Sequence, residues 1–248
     1  MDSACFADER DMSRISKGQY RSDVDPRELA LYTPADASCY LGINPQTLGT
    51  WLWGRSYPTV TGERFFEPLI KPADPENKLL SFFNMAELHV LACTRYTHNV
   101  SIKAVRLAVD TVLERYPSDH PLISRDFFTN GKDIFLHKVE ENENLSTRDQ
   151  LNFKVIMDRF LARVVTDEND LIKKFYPLIK GQPDDQIISI TYGISSSQPV
   201  VDGFGVPVWL IHDRFTAGET PDSIAEDFSI PTAKIQRAID YIDQRAAA

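Results

Sequence analysis

The chain has 248 residues, 42% of them hydrophobic and 25% charged, with a net charge of −9. This length fits two or three domains, and the apolar content supports packed cores and excludes global disorder. The acidity excludes a chain that binds nucleic acid over its whole surface; such a contact must come from a local basic edge, while a partner with a basic groove fits equally well.

Residues 1–28 are polar, with Arg and Asp interspersed and no apolar signal core, and read as a disordered leader. Order is expected from Leu29. Tyr32 to Trp53 reads as two short helices joined by a sharp turn at Gly42. Thr33 caps the first with Pro34 at its first position, and Asn44 followed by Pro45 starts the second in the same way. The second helix carries Leu48, Trp51 and Leu52 on one face. Between Arg55 and Leu80, the β-prone stretches Thr59–Val60 and Arg64–Phe66 predict a small hairpin or wing. A third helix is expected from Asn84 to about Thr97, with Asn84 and Glu87 as its capping box, and His98–Asn99 ends it. Ser101 caps a fourth, with Ile102, Val105, Val109, Val112 and Leu113 at helical spacing. Pro117 closes this first domain, 29–117.

Residues 118–180 read as a small α+β middle region. Asp133–Val139 is expected as a strand after an Asn130–Gly131 turn, and Arg148–Leu161 as a helix with Leu151, Val155, Ile156 and Phe160 on its apolar face. Two strands, Ala162–Thr166 and Leu171–Tyr176, flank the Asp167–Asp170 turn. The run Glu140–Glu143 reads as a solvated acidic loop. The last domain, 181–248, opens with an extended linker to Gln198 that holds one strand, Ile187–Ile190. Three helices follow: Pro207–Thr216, Pro221–Phe228 and Thr232 to about Arg245. The first turns Val208, Ile211 and Phe215 inward and ends at Gly218. Ala225 is the small crossing residue, and Ile230 and Ile235 fill the core. The fold class is therefore mainly α with small β parts (α+β): a winged helix-turn-helix plus a C-terminal tri-helical, helix-turn-helix-like domain.

Chemistry-bearing patterns are sparse. Cys5, Cys39 and Cys93 have no paired spacing and read as reduced thiols of a cytoplasmic protein. No apolar run approaches the roughly 20 residues of a membrane span. His89, His98, His120, His137 and His212 lack metal spacing and read as surface or half-buried side chains. Gly203 and Gly205 form a turn rather than a phosphate loop, and Ser195–Ser197 lie in a flexible linker with no nucleophile elbow. No catalytic residue, metal ligand or cofactor is expected.

A helix-turn-helix needs a small residue at the crossing, a tight turn and short polar residues facing base edges. Ser38, Gly42, Ile43 and Leu48 supply the packing, and Gln46, Thr47 and Thr50 the outward face. Gln can pair with adenine and Thr can touch the thymine methyl. The run Tyr32-Thr33-Pro34 through Leu41-Gly42-Ile43-Asn44-Pro45-Gln46-Thr47-Leu48 resembles the opening of MerR-type winged helix-turn-helix domains. Phe82–Leu88 and Asn99–Ile102 resemble that domain's second helical pair. MerR-type reading helices carry an Arg soon after the Pro, whereas here no basic residue follows until Arg55. Phosphate contacts are therefore assigned to Arg55, Arg64, Lys71 and Lys78, and binding as a dimer is expected.

At the other end, Gln198–Trp209, Arg214–Thr220 and Ile224–Phe228 resemble a small helical domain, once of unknown function, that is common in bacterial antitoxins. Chains joining both ends resemble VapB-type antitoxins. The resemblance implies an antitoxin that binds a PIN-like ribonuclease toxin and represses its own operon as a homodimer on operator DNA. The acidic surface of Glu219, Asp222, Glu226 and Asp227 repels phosphate, so this domain is expected to meet protein. Partner contact is assigned to Asp202, Trp209, Arg214, Glu219, Glu226 and Asp227. The rival expectation is a stand-alone MerR-like, ligand-responsive transcription regulator. An enzyme has no support in these residues.

Overall fold

A computed structural model describes residues 25–60, 62–95, 100–143, 147–178 and 185–246. The leader expected at 1–28 lies outside them up to residue 24, as do Cys5 and the helix end at His98–Asn99. Residues 25–28 are ordered, against expectation. Pro26–Glu28 forms a 3-10 turn, and Arg27 clasps it down: its Nη1 donates to Asp167 Oδ2 at 2.7 Å and to Ile172 O at 3.2 Å, while its guanidinium lies 5.4 Å from the Phe83 ring centroid.

Two helices open the body, α1 (Pro34–Leu41) and α2 (Pro45–Trp53). Thr33 and Asp36 form a reciprocal capping box on α1, and Asn44 Oδ1 accepts the Gln46 amide on α2. Gly42 turns between them with φ +64°. Strands β1 (Arg55–Thr59) and β2 (Gly62–Phe66) follow as an antiparallel hairpin. Next comes α3 (Phe82–Ala92), buried along its whole length. A helix that is apolar nearly all round belongs at the centre of a core. Its cap is Ser81 rather than Asn84, because the earlier start gives Asn84 the third position, from which its Oδ1 accepts the Ser81 amide. Glu87 is thereby free of any capping role and faces inward. Next in order is α4 (Ile102–Arg115), capped by Ser101.

The middle stretch departs most from expectation. Phe127–Gly131 is a π turn that runs into α5 (Lys132–Glu143), so neither the Asn130–Gly131 turn nor the Asp133–Val139 strand exists. Phe135, Leu136 and Val139 are buried at helical spacing; a short apolar run does not discriminate strand from helix. The expected acidic loop is the last turn of α5, where Glu143 Oε1 accepts the Ser101 amide at 3.1 Å. Helix α6 (Thr147–Leu161) forms where predicted but turned about its axis. Phe160 is buried as expected, but it is joined by Phe153 and Met157, while Leu151 is 61% and Val155 51% exposed. Two stripes satisfy the same period, and the larger side chains remove more area from water.

Strands β3 (Val164–Thr166), β4 (Ile172–Phe175), β5 (Ile188–Thr191) and β6 (Pro199–Val201) make one antiparallel sheet in that order. The strand expected at Ile187–Ile190 is β5, and the expected linker continues after Gln198 into β6; residues 181–184 lie outside the described residues. Ser195–Ser197 form a tight turn with positive φ at all three, and Ser197 O accepts the buried Tyr32 hydroxyl at 2.8 Å. Helices α7 (Val208–Thr216), α8 (Pro221–Phe228) and α9 (Thr232–Ala246) complete the chain. Phe215, expected inward, is 37% exposed.

One hydrophobic core runs from Tyr32 to Ile190 and takes in α1 to α6; a second gathers Ile188, Val201 and the inner faces of α7, α8 and α9. Strand β5 serves both, through Ile190 and Ile188. Two side chains of α9 tie the second core to the first. Tyr241 Oη donates to Tyr40 O at 2.6 Å, and Arg245 Nη2 donates to Leu178 O at 2.7 Å. The Arg245 guanidinium also lies against Gly42, where a Cβ would come within 3.1 Å of it. Tyr241→Phe removes one buried hydrogen bond between the two cores, so it is expected to cost about 1–2 kcal/mol. A thermal melt unchanged from wild type would show that this tie carries no weight.

Candidate nucleic-acid interface and partner surface

Helix α2 buries Leu48, Trp51 and Leu52 and leaves Gln46 exposed, with Thr47, Gly49 and Thr50 half-buried. The Thr50 hydroxyl donates back to Gln46 O at 2.9 Å. Gly49 sits in mid-helix, where glycine costs about 0.5–1 kcal/mol relative to alanine. Among the described residues no atom lies within 4 Å of where its Cβ would be.

The hairpin is joined to α2 by Gly54 alone. Its register opposes Arg55 to Phe66 and Tyr57 to Arg64. Directly opposed residues share a face, so Arg55, Tyr57 and Arg64 lie on one side, all exposed. Arg106 of α4 fixes the hairpin's base. Its guanidinium stands 4.8 Å from the Phe66 ring centroid, and its Nη2 donates to the carbonyls of Glu67 and Pro68. Sequence reasoning missed Arg106, because nothing local in α4 signals a contact 40 residues back along the chain.

Lys71 and Lys78 come to the same end of α2 by different means. Leu69 and Ile70 both donate to Trp51 O, at 2.7 and 3.2 Å, which brings Lys71 beside the last turn. Asn84 then holds the Lys71 carbonyl at 3.0 Å. Lys78 has a positive φ of 57° and sets its Nζ 5.8 Å from the Trp53 ring centroid. Both lysines are exposed. The four cations assigned from sequence are therefore arranged around the C-terminal end of α2 and along the hairpin, while Gln46, Thr47 and Thr50 lie on the helix itself.

The six partner residues are mostly engaged within the chain. Asp202 accepts from Lys174 Nζ at 2.9 Å and from Tyr176 Oη at 3.2 Å; burial pushes its carboxyl up, but Lys174 and its hydrogen bonds hold it below the ordinary value. Trp209 Nε1 donates to Gln198 Oε1 at 3.0 Å. Arg214 bridges Glu219 and Asp227 and lies 5.1 Å from the Phe228 ring centroid. These hydrogen bonds lower the Glu219 carboxyl. Glu226 stands exposed on α8.

His89 departs from the surface or half-buried setting expected of the histidines, whereas His120 is half-buried. His89 is buried, stacked between Phe160 and Phe175, with Nε2 3.3 Å from Phe160 O. Burial, with the Arg163 charge, lowers it to about 3; it is neutral and its Nε2–H donates. His120 places Nδ1 2.9 Å from Glu87 Oε2 and Nε2 2.8 Å from Glu28 Oε2. Both ring nitrogens face carboxylates, so both donate and the ring is a cation. Burial alone would lower it, but the hydrogen bonds and charges of Glu87 and Glu28 raise it to about 9. Glu87 itself is pushed up by burial, partly offset by His120. Cys39 and Cys93 are buried, and burial raises the Cys93 thiol. Among the described residues no cluster of His, Cys, Asp and Glu has the form of a metal site, and no helix is long and apolar enough to cross a membrane.

Residues 188–242 match a family model described as a protein of unknown function, DUF433. The matched stretch runs from β5 into α9 and coincides with the second core. Over 232 residues the chain is 26% identical to a Mycobacterium tuberculosis protein named "Putative antitoxin VapB45", covering 87% of this chain and 95% of that one. Its fold is similar to the crystal structure of Rv2018 from Mycobacterium tuberculosis, with a TM-score of 0.62 and 24% identity, covering 86% of this chain and 98% of the other.

Proposed function

We propose that this chain is the antitoxin of a type II toxin–antitoxin pair, a non-enzymatic protein that silences a PIN-like ribonuclease by direct binding and represses its own operon. The observation that carries this is the breadth of the likeness to the protein named as an antitoxin. It spans 87% of this chain and 95% of that one, so both ends and the middle are shared together.

The two ends divide the work. The helix pair α1–α2 and the β1–β2 hairpin act as a winged helix-turn-helix on operator DNA. Gln46, Thr47 and Thr50 face base edges; Arg55, Arg64, Lys71 and Lys78 meet phosphates. A reading helix with no cation of its own binds weakly as one copy. Two copies on two half-sites restore the affinity, so the DNA-bound form is a homodimer. The toxin is bound by the C-terminal unit, whose exposed Asp222 and Glu226 repel phosphate.

Reversing Arg55 and Arg64 to Glu is expected to abolish operator binding and spare toxin binding. Each lost phosphate contact also lowers the salt slope by about one unit, so titrations at two salt concentrations identify the mechanism. Equal loss of both activities would defeat the division of labour. The identity of the partner is tested by capturing the tagged chain from its native cells and assaying ribonuclease activity of what co-purifies, with and without this chain. A clean chain without a stoichiometric partner would defeat the antitoxin role.

A further inference from the structure

We infer that Gly49 forms a notch in the outward side of α2 that receives a thymine methyl group, so that the helix reads an adenine–thymine step at that point. This placement depends on DNA binding by α2 as proposed above.

Among the described residues nothing accounts for the glycine. It lies between the second and last turns of α2, away from either cap, and its φ is helical. No atom of the described residues approaches the position of a Cβ within 4 Å, so neither backbone conformation nor packing among them excludes alanine, which helices prefer. Glycine is the residue that lets another molecule approach the backbone closely.

The neighbours of the notch define what enters it. Gln46, one turn earlier, is exposed, and its side-chain amide has one donor and one acceptor side. The Thr50 hydroxyl is committed as a donor to Gln46 O at 2.9 Å. This surface offers an amide and a gap, and it carries no charge. A phosphate finds no cation there. The major-groove edge of an A·T pair presents a donor–acceptor pair on adenine N6 and N7, which a Gln amide matches, with the C5 methyl of thymine beside it. Arg55 and Lys78 flank the far end of the helix and suit the phosphates on either side.

The test uses the full chain and the duplex immediately upstream of its own reading frame, prepared once with thymine and once with uracil in its place, which removes only the methyls. Wild type is expected to bind the uracil duplex about tenfold more weakly. Gly49→Ala is expected to melt higher than wild type, to bind the thymine duplex about tenfold more weakly, and to lose nothing further on the uracil duplex, since its own methyl fills the gap. Three results overturn the notch: Gly49→Ala binding the thymine duplex as tightly as wild type, an equal further loss on uracil, or a lowered melting temperature. If the wild-type chain shows no sequence-specific binding to either duplex, the DNA reading itself fails and the notch with it. If wild type binds and Gly49→Ala is indistinguishable from it, only the notch fails.

Discussion

Glu87→Ala is expected to cost about 3–5 kcal/mol, the range for breaking a buried charge pair from one side. The carboxylate is almost wholly buried; it accepts from His120 Nδ1 at 2.9 Å and faces the Leu122 amide at 3.5 Å. Without it a cationic imidazole, its side chain 14% exposed, keeps Glu28 alone. For a chain of this size that loss corresponds to a fall in melting temperature of roughly 10 °C. The same cluster fixes a pH dependence. The folded state raises His120 from 6.5 to about 9, so folding is favoured by its protonation. Its contribution is complete below about pH 6.5 and is lost as the pH rises through 9. Melting temperature should therefore fall between pH 7 and 9, and His120→Gln should flatten that slope. A slope that persists unchanged in His120→Gln would place the titration elsewhere.

Gly54→Ala is the second large effect. Gly54 has φ +73° and ψ −174°, a region of backbone space occupied almost only by glycine, where other residues carry about 1–3 kcal/mol of strain. A Cβ there would also stand 2.2 Å from Phe66 O and 2.6 Å from Phe65 Cζ. The phenylalanine ring can swing away; the carbonyl oxygen cannot, because Phe66 is paired with Arg55 across the hairpin and stacked under Arg106. The strand pair must move off the end of α2. A melt lowered by about 6 °C or more is expected, with the hairpin losing its amide-exchange protection before α3 does. Normal stability together with normal hairpin protection would show that the junction tolerates a side chain. Gly49→Ala, five residues away and free of both strain and clash, is the matched control and should raise stability.

The same cluster around His120 explains why the chain does not begin its order at Leu29. Glu28 reaches His120, and Arg27 reaches Asp167 and Ile172 O across the sheet. These are contacts 92 and 140 residues apart along the chain. No local pattern announces them, and a polar stretch reads as solvated until its partners are found.

Both ends of the molecule were legible in the amino-acid order because their signals are local. Thr33-Pro34, Asn44-Pro45 and Thr220-Pro221 each place a capping oxygen before a proline whose missing N–H costs nothing at the first turn. Gly42 supplies the positive φ between α1 and α2, and Ile224, Ala225, Ile230 and Ile235 keep the spacing that builds the second core. The outward residues of α2 also follow from order alone, since cap and period together fix which way each faces, whereas Lys71 and Lys78 are brought beside the helix by contacts with Trp51 and Trp53.

The middle of the chain was decided by tertiary packing. The Asp133–Val139 run contains apolar residues that suit either period, and only the faces of α4 and the π turn at Phe127–Gly131 select the helix. Along α6 two stripes share one spacing, and the core takes Phe153, Met157 and Phe160 over Leu151 and Val155 because those larger side chains fill the space under α3. His89 and Glu87 look like ordinary polar positions in sequence. They are central because α3 is enclosed on every side, so each polar group on it must find its partner inside, on Phe160 O and on His120. Arg214, Glu219 and Asp227 read as free charges until the turn after α7 brings them together. Periodicity and capping act within a few residues and are written in the chain; burial and charge pairing act between segments far apart in it, and only the folded structure says which segments meet.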